Sequence, residues 1–320
     1  MQPLISVIVP SYGSEEYLPR SLSSLLAARA KVGAGKVEII VGVDPKEGHH
    51  DLEVATELLK GEEGAFAYLH DHRLGLPLAR LDGAKRAKGQ YICSLDSDDY
   101  VEPSYFEVLV PLLEKERPDV VGFSFNYELE GKKRSYPFAS SFIGDGERML
   151  KAMFTDIGTR GFIWAKCWRK DLFLAYDGPL YSFLEDVTLN AILLPKAKKA
   201  IAIRDRLLVY QESNPSSLTT RKDPERFYKH VRALAAIRAY YDLRGMEKEK
   251  KILVARRWRH ALSLLYAKKR AKKDGMGRDE RKKAARLFRA AMDLRRPLFE
   301  SAPDFEEVYR AFPFFSSSEE

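Results

Sequence analysis

Over its first 130 residues the chain alternates between two kinds of segment, and this alternation limits the folds open to it. Short apolar, β-branched runs occur at Ile5–Val9, Val37–Val43, Phe66–Leu69, Tyr91–Leu95 and Val120–Phe125. Between them lie segments with helical spacing, at about 15–29, 51–60, 77–88 and 103–116. Strands that alternate with helices build βαβ units and a largely parallel sheet. Near-continuous apolar strands fit a sheet covered on both faces. Glu102-Pro103-Ser104 reads as a helix start, with proline near the first turn.

The pattern is less regular from about 130 to 220. Gly131-Lys132-Lys133 suits a hairpin turn, 147–154 and 185–194 read as helices, and Trp164–Arg169 and Ile201–Tyr210 as strands. From Pro224 to about Pro297 the sequence is helical, with Phe227, Val231, Leu234, Ile237, Tyr240 and Tyr241 at three-to-four spacing and a break near Asp274-Gly275-Met276-Gly277.

The formal net charge of +8 hides an asymmetry. Residues 222–296 carry 25 Lys and Arg against 9 Asp and Glu, and the rest of the chain carries 29 against 37. Two cysteines, Cys93 and Cys167, are too few for a disulfide framework and lack zinc-ligand spacing, so a reducing compartment is expected. The apolar run Leu4–Val9 is too short for a signal-peptide core or a bilayer span, and no other stretch reaches about 18 apolar residues. The expected location is the cytoplasm. The basic segment allows peripheral attachment to the inner face of the cell membrane.

Tyr91-Ile92-Cys93-Ser94-Leu95-Asp96-Ser97-Asp98-Asp99 places three carboxylates at the carboxyl end of a buried strand. Ligands of open α/β sheets bind outside those strand ends. Crowded carboxylates repel one another unless a cation sits among them, and Mg²⁺ or Mn²⁺ bridging to substrate phosphates would serve. Taken alone, the same residues could be a solvated turn capping the next helix. The chain has no Gly-x-Gly-x-x-Gly after the first strand and no Gly-x-x-x-x-Gly-Lys, which argues against dinucleotide-binding and P-loop enzymes.

The order of motifs narrows the choice. Ser6-Val7-Ile8-Val9-Pro10-Ser11-Tyr12 is followed by Val37–Asp44, by Leu74–Ala84 with its Ala79-Arg80 element, by Ala87–Ile92, and by Asp98-Asp99-Tyr100-Val101-Glu102-Pro103. Over roughly residues 4–220 this order resembles family 2 of the inverting glycosyltransferases. The resemblance implies a GT-A fold, an α/β architecture with a mostly parallel, Rossmann-like sheet flanked by helices and followed here by a helical C-terminal region. It implies a catalytic domain over 1–221, with a donor half at 1–130 and an acceptor half at 131–221, and a basic helical region over 222–320.

The resemblance also assigns roles. Pro10, Ser11 and Tyr12 help to form the nucleotide pocket, Asp44 contacts the base or ribose, and Arg80 lies near the nucleotide. Asp96, with Ser97 beside it, faces the nucleoside, and Asp98 ligates Mn²⁺ or Mg²⁺. Trp164 and Lys166 line the acceptor side. Asp186 is the catalytic base, with Glu185 as its orienting neighbour or alternative. The chain departs from the family pattern in three places: Val43 replaces the first of two adjacent acids, Asp82 stands where Asn is usual, and Gln211 stands where Arg is usual. A base is needed because an acceptor hydroxyl must lose its proton as it attacks the anomeric carbon. The Glu185-Asp186 pair could equally favour a helix N-terminus through the dipole.

The expected reaction moves a sugar from a nucleoside-diphosphate donor, UDP-linked by family analogy, to a saccharide or lipid-linked acceptor in bacterial cell-surface polysaccharide or glycolipid synthesis. A catalytically degenerate binding or scaffold subunit and a metal-dependent nucleotidyltransferase remain as alternatives. His49-His50 and His70-x-His72 read as loop polar groups rather than metal ligands. The basic segment reads either as a solvated helical face or as a docking surface for an anionic membrane, the latter with Trp258, Leu262, Leu264, Leu265 and Tyr266 as an apolar face. No nucleic-acid motif accompanies the charge, so a nucleic-acid partner is not expected.

Overall fold

Strand β1 (Ile5–Ser11) runs parallel to β2 (Val37–Val43) on one side and to β4 (Tyr91–Ser94) on the other, and β3 (Ala65–Leu69) extends the parallel set beyond β2. Every residue of β1, β2 and β4 is buried, as their near-continuous apolar character fits, and the buried Glu38 of β2 accepts Ser6 Oγ of β1 at 2.6 Å. The crossovers are helices α1 (Leu18–Ala30), α2 (Asp51–Leu58) and α3 (Leu76–Arg86). Proline occupies the first turn of α1 and of α3, where a missing N–H costs nothing. Helix α3 lies so close to β1 that a Cβ on Gly83 would fall 2.4 Å from Ile8 Cγ2.

In this computed structural model the described residues are 2–136, 141–155, 161–181, 184–211, 223–255, 275–302, 305 and 308. The chain divides into two compact units, one of residues 1–175 and 196–214 and one of 176–195 and 215–320.

The first unit continues with β5 (Tyr100–Val101), α4 (Tyr105–Glu116), β6 (Val120–Leu129), β7 (Lys132–Tyr136), β8 (Phe142–Gly144), α5 (Gly146–Thr155), β9 (Lys166–Arg169), α6 (Lys170–Leu174) and β10 (Ala200–Gln211). The strand order is β3-β2-β1-β4-β9-β6-β10-β5, with β7 paired to β6 and β8 to β10. Strand β9 is antiparallel to both β4 and β6, and β10 is parallel to β6. The expected α/β sheet flanked by helices is therefore present, and four of its described strands are antiparallel to their neighbours: β9 inside the sheet, β5 and β8 against β10, and β7 against β6. A hairpin joins β6 to β7, its turn falling at Glu130-Gly131 rather than at the expected Gly131-Lys132-Lys133, whose two lysines begin β7. Both of its turn residues, Glu130 (φ 51°) and Gly131 (φ 73°), are left-handed, as the tightest hairpin turns require.

The second unit is helical in its described residues: α7 (Glu185–Leu193), α8 (Arg226–Leu243), α9 (Glu247–Ala255), α10 (Arg278–Met292) and α11 (Leu298–Ser301). Val231, Leu234, Ile237, Tyr240 and Tyr241 of α8 are buried, as their spacing predicts. The side chain of Phe227 and residues Trp258 to Tyr266 lie outside the described set. The break before α10 is real, with Gly275 left-handed (φ 83°) and Gly277 preceding the first helical turn. Among the described residues no helix is long and apolar enough to cross a membrane.

Candidate active site

Strands β1, β2 and β4 are parallel, so their carboxyl ends lie at one edge of the sheet, and three of the expected motifs follow directly from them. After β4, Leu95 N–H still donates to Ile8 O (2.9 Å), and the chain then turns through the acidic run, closed by Asp99 N–H on Asp96 O (3.0 Å). Arg80, on α3 and almost wholly buried, donates Nη2 to Asp96 Oδ1 at 2.6 Å and Nε to Ser94 Oγ at 3.2 Å. A guanidinium buried this way is a rigid fork that fixes one carboxylate of the run. Ser97 is buried, and Asp98 is partly exposed. The Asp98 carbonyl accepts Arg20 Nη2 at 3.2 Å, and the same guanidinium lies 4.6 Å from the centre of the Tyr100 ring.

Asp99 has no solvent exposure. Its Oδ1 accepts the N–H of Gln211 at 2.7 Å, and its Oδ2 has no partner among the described residues. Burial, followed by the charges of Asp98 and Asp96, pushes its pKa well above the usual carboxylate range. Oxygen donors of this kind fit a hard divalent cation, with the partly exposed Asp98 as the accessible ligand.

Pro10 and Ser11 end β1 and are buried, and Tyr12 just past it is 37% exposed. The Arg73 guanidinium lies 4.1 Å and Lys46 Nζ 5.1 Å from the centre of the Tyr12 ring. Asp51, at the start of α2, holds this loop by accepting Ser11 Oγ (2.7 Å), Gly13 N–H (2.9 Å) and Ser14 N–H (2.6 Å). Sequence reasoning passed over Asp51, whose only signal was an acid opening a helix. Glu15, His49 and Asp51 have ligand-type atoms within 4.8 Å of one another, so they could hold a metal ion. Asp51 is already occupied by the loop, however, and Glu15 meets His49 Nδ1 at 2.8 Å, a hydrogen bond that lowers the Glu15 pKa.

Past β2, Asp44 is buried and accepts Leu74 N–H (3.0 Å) and Gly75 N–H (2.8 Å), with His70 Nδ1 2.9 Å from its Oδ1. Its carboxylate therefore pins the 70–75 loop that leads into α3 and Arg80. Asp82 takes the Tyr68 hydroxyl (2.6 Å) and Arg86 Nε (2.8 Å), and these hydrogen bonds hold its carboxyl below the usual range against the opposing effect of burial.

Trp164 is buried in a stack, 4.6 Å from Phe162 and 5.7 Å from Tyr210 between ring centres. Lys166 is buried and donates Nζ to Phe162 O at 2.9 Å. Both stiffen the wall formed by β9 and the residues before it. Glu185 and Asp186 belong to the second unit, where they open α7 and are partly exposed. The preceding residue, Leu184, is left-handed (φ 57°), and Asn190 Nδ2 donates to the Asp186 carbonyl at 2.7 Å, bracing that first turn.

An acidic run at the strand ends of such a sheet, braced by a buried arginine, defines a glycosyltransferase of the GT-A fold. Residues 6–168, about half of the chain, match the family model described as glycosyl transferase family 2, and the chain belongs to that family. It is 29% identical over 283 residues to the glycosyltransferase EpsJ of Bacillus subtilis (strain 168), covering 83% of this chain and 78% of that one. It is 27% identical over 233 residues to the glycosyltransferase GlyG of Streptococcus pneumoniae serotype 4, covering 70% and 75%. Two further bacterial glycosyltransferases are matched over 53% and 30% of their own lengths. Among solved structures, S. aureus TarS 1–349 in complex with UDP-GlcNAc superposes with a TM-score of 0.71 at 18% identity, covering 96% of this chain and 89% of that one.

Proposed function

We propose that this protein transfers a sugar from a UDP-linked donor to an acceptor hydroxyl by single displacement, with inversion at the anomeric carbon. The carrying observation is the acidic run, in which Arg80 fixes Asp96 while Asp98 stays accessible. The TarS structures with UDP-GlcNAc and with UDP support the choice of donor.

In this reading Pro10, Ser11 and Tyr12 form the nucleotide pocket. Asp44 acts through the loop it pins, Asp96 and Ser97 face the nucleoside, and Asp98 holds the cation. A bound Mn²⁺ or Mg²⁺ would neutralise charge on the departing diphosphate. Asp186 accepts the acceptor hydroxyl proton as that oxygen bonds to the anomeric carbon and the bond to the diphosphate breaks, with Glu185 orienting it. Trp164 and Lys166 serve the acceptor side by holding its wall in place. The catalytic domain runs over 1–221 and the basic helical region over 222–320. The setting is cell-surface polysaccharide or glycolipid assembly at the cytoplasmic face of the membrane.

A thermal-shift screen of nucleoside diphosphates and their sugars, with and without Mn²⁺, tests the donor directly, because binding to the native state appears as a stability increment. UDP and UDP-sugars should give the largest increment, and Asp98→Ala should lose its Mn²⁺-dependent part. Asp186→Asn should keep donor binding and lose transfer. Preference for a nucleotide without uracil would overturn the donor assignment, and full activity in both variants would overturn the site.

A further inference from the structure

The exposed side of α10 is a cationic row. Arg278, Lys282, Arg286 and Arg289 are all exposed, and at 3.6 residues per turn they fall within about 80° of arc. The opposite side, Ala284, Leu287, Ala290 and Ala291, is buried. Across 278–296 there are eight Lys and Arg against three Asp and Glu. All three of those acids are engaged, Asp279 with Lys282 (3.4 Å), Glu280 with the N–H of Gly277 (3.0 Å) and Asp293 with Arg295 (2.6 Å).

Past α10 the chain turns through Asp293 to Arg296, and here the surface gains apolar side chains. Leu294 is 39% exposed and Phe299 49% exposed, and Arg295 and Arg296 are exposed between them. The turn is fastened from inside. Arg238 is fully buried and donates Nη1 to the carbonyls of Ala291 and Asp293 (3.1 Å each) and Nη2 to that of Arg296 (3.0 Å). The N–H of Leu298 donates to Asp242 Oδ2 at 2.9 Å. Leu294 and Phe299 are therefore held outward on a braced backbone. In this exposed turn two large apolar side chains, Leu294 and Phe299, flank the exposed cations Arg295 and Arg296. Anionic headgroups would match the cations, and the boundary with the acyl chains would take the apolar tips.

We propose that the surface from Arg278 to Phe299 docks the protein on an anionic lipid bilayer, with Leu294 and Phe299 entering the headgroup region. This rests on the membrane-face setting proposed above and names the surface that provides it. Flotation of the full chain with vesicles tests it, one set of phosphatidylcholine alone and one containing phosphatidylglycerol. Binding is expected only to the anionic set and should weaken as salt is raised. The triple variant Arg278→Gln, Lys282→Gln, Arg289→Gln should lower the partition coefficient about 100-fold, and Leu294→Ser with Phe299→Ser about tenfold. Equal binding to both vesicle sets, or undiminished binding by the triple variant, would overturn the proposal. So would duplex DNA binding that the triple variant abolishes in a protein that ignores vesicles. The UDP-induced thermal shift of the same variants should stay unchanged, showing that they are folded. If the wild-type protein floats with anionic vesicles but shows no UDP shift, the donor assignment fails and the docking surface stands.

Discussion

The N–H of Gln211 reaches Asp99 Oδ1 at 2.7 Å, joining residues 112 positions apart and tying the last residue of β10 to the acidic run after β4. The bond fixes the last carboxylate of the run in a site with no solvent exposure. It also gives a use to a position where the family pattern is lost: the side chain that departs from the usual arginine belongs to the residue whose backbone braces the run.

Asp99→Asn keeps an acceptor for the Gln211 N–H in a side chain that cannot ionise, whereas Asp99→Ala leaves that N–H without its partner. The alanine variant should be less stable than the asparagine variant by about 1–3 kcal/mol in denaturant titrations. Equal stabilities would mean that the bond contributes nothing.

Much of this fold could be read from sequence because its signals are local. The strands up to β4 are mostly apolar, and two of the helices between them, α1 and α3, carry proline at the first turn. Strand β9 falls inside the run Trp164–Arg169 read as a strand, whereas the short strands β5 and β8 were harder to read. Tyr100-Val101 and Phe142–Gly144 are two- and three-residue pieces defined by pairing with β10, and nothing within so few residues sets a period. At the site, the acidic run and Arg80 stood out as motifs. Asp51, Arg20 and the Asp99–Gln211 bond did not, because each works through a contact with a distant segment. The burial of Trp164 between Phe162 and Tyr210 also depends on β10 arriving from elsewhere in the chain.

Arg80→Lys tests the brace on Asp96. An ammonium is a single point of charge and cannot reproduce the planar fork that reaches both Ser94 Oγ and Asp96 Oδ1. Stability should fall by about 1–3 kcal/mol, and the UDP-induced thermal shift should shrink with it. A variant with unchanged stability and an unchanged shift would show that the orientation of Asp96 does not depend on Arg80.

In the helical unit the buried hub is Asp242. Its Oδ2 accepts Arg238 Nε (2.9 Å) and Leu298 N–H (2.9 Å), and its Oδ1 accepts Lys250 Nζ (2.8 Å). Asp242→Ala strands a guanidinium with no solvent exposure, so a loss of about 3–5 kcal/mol is expected, the range for breaking a buried pair. Arg238→Met with Asp242→Leu and Lys250→Met removes all three charges of the hub and should recover part of that loss. If the single variant costs less than 1 kcal/mol on this scale, the hub is not a stability element.

Alkaline pH should expose the buried tyrosines. Burial pushes the Tyr91 phenol up to about 12. Burial also raises Tyr68, Tyr100 and Tyr240, reinforced by hydrogen bonds to Asp82, Glu128 and Asp177 respectively. An unfolded tyrosine ionises near pH 10, so above that pH the unfolded chain gives up protons that the native state keeps. The stability these phenols confer is whole below pH 10 and is lost as pH rises through their native values. For Tyr91, only 4% exposed, the window is pH 10 to 12 and the slope up to about 1.4 kcal/mol per pH unit. Denaturant titrations at pH 9, 10 and 11, with tyrosinate absorbance followed in parallel, measure that slope. Tyr91→Phe has no proton to lose there, so its stability should fall less steeply than the wild type over the same range. Identical slopes for the two proteins would mean that Tyr91 ionises as readily in the folded protein as in the unfolded chain.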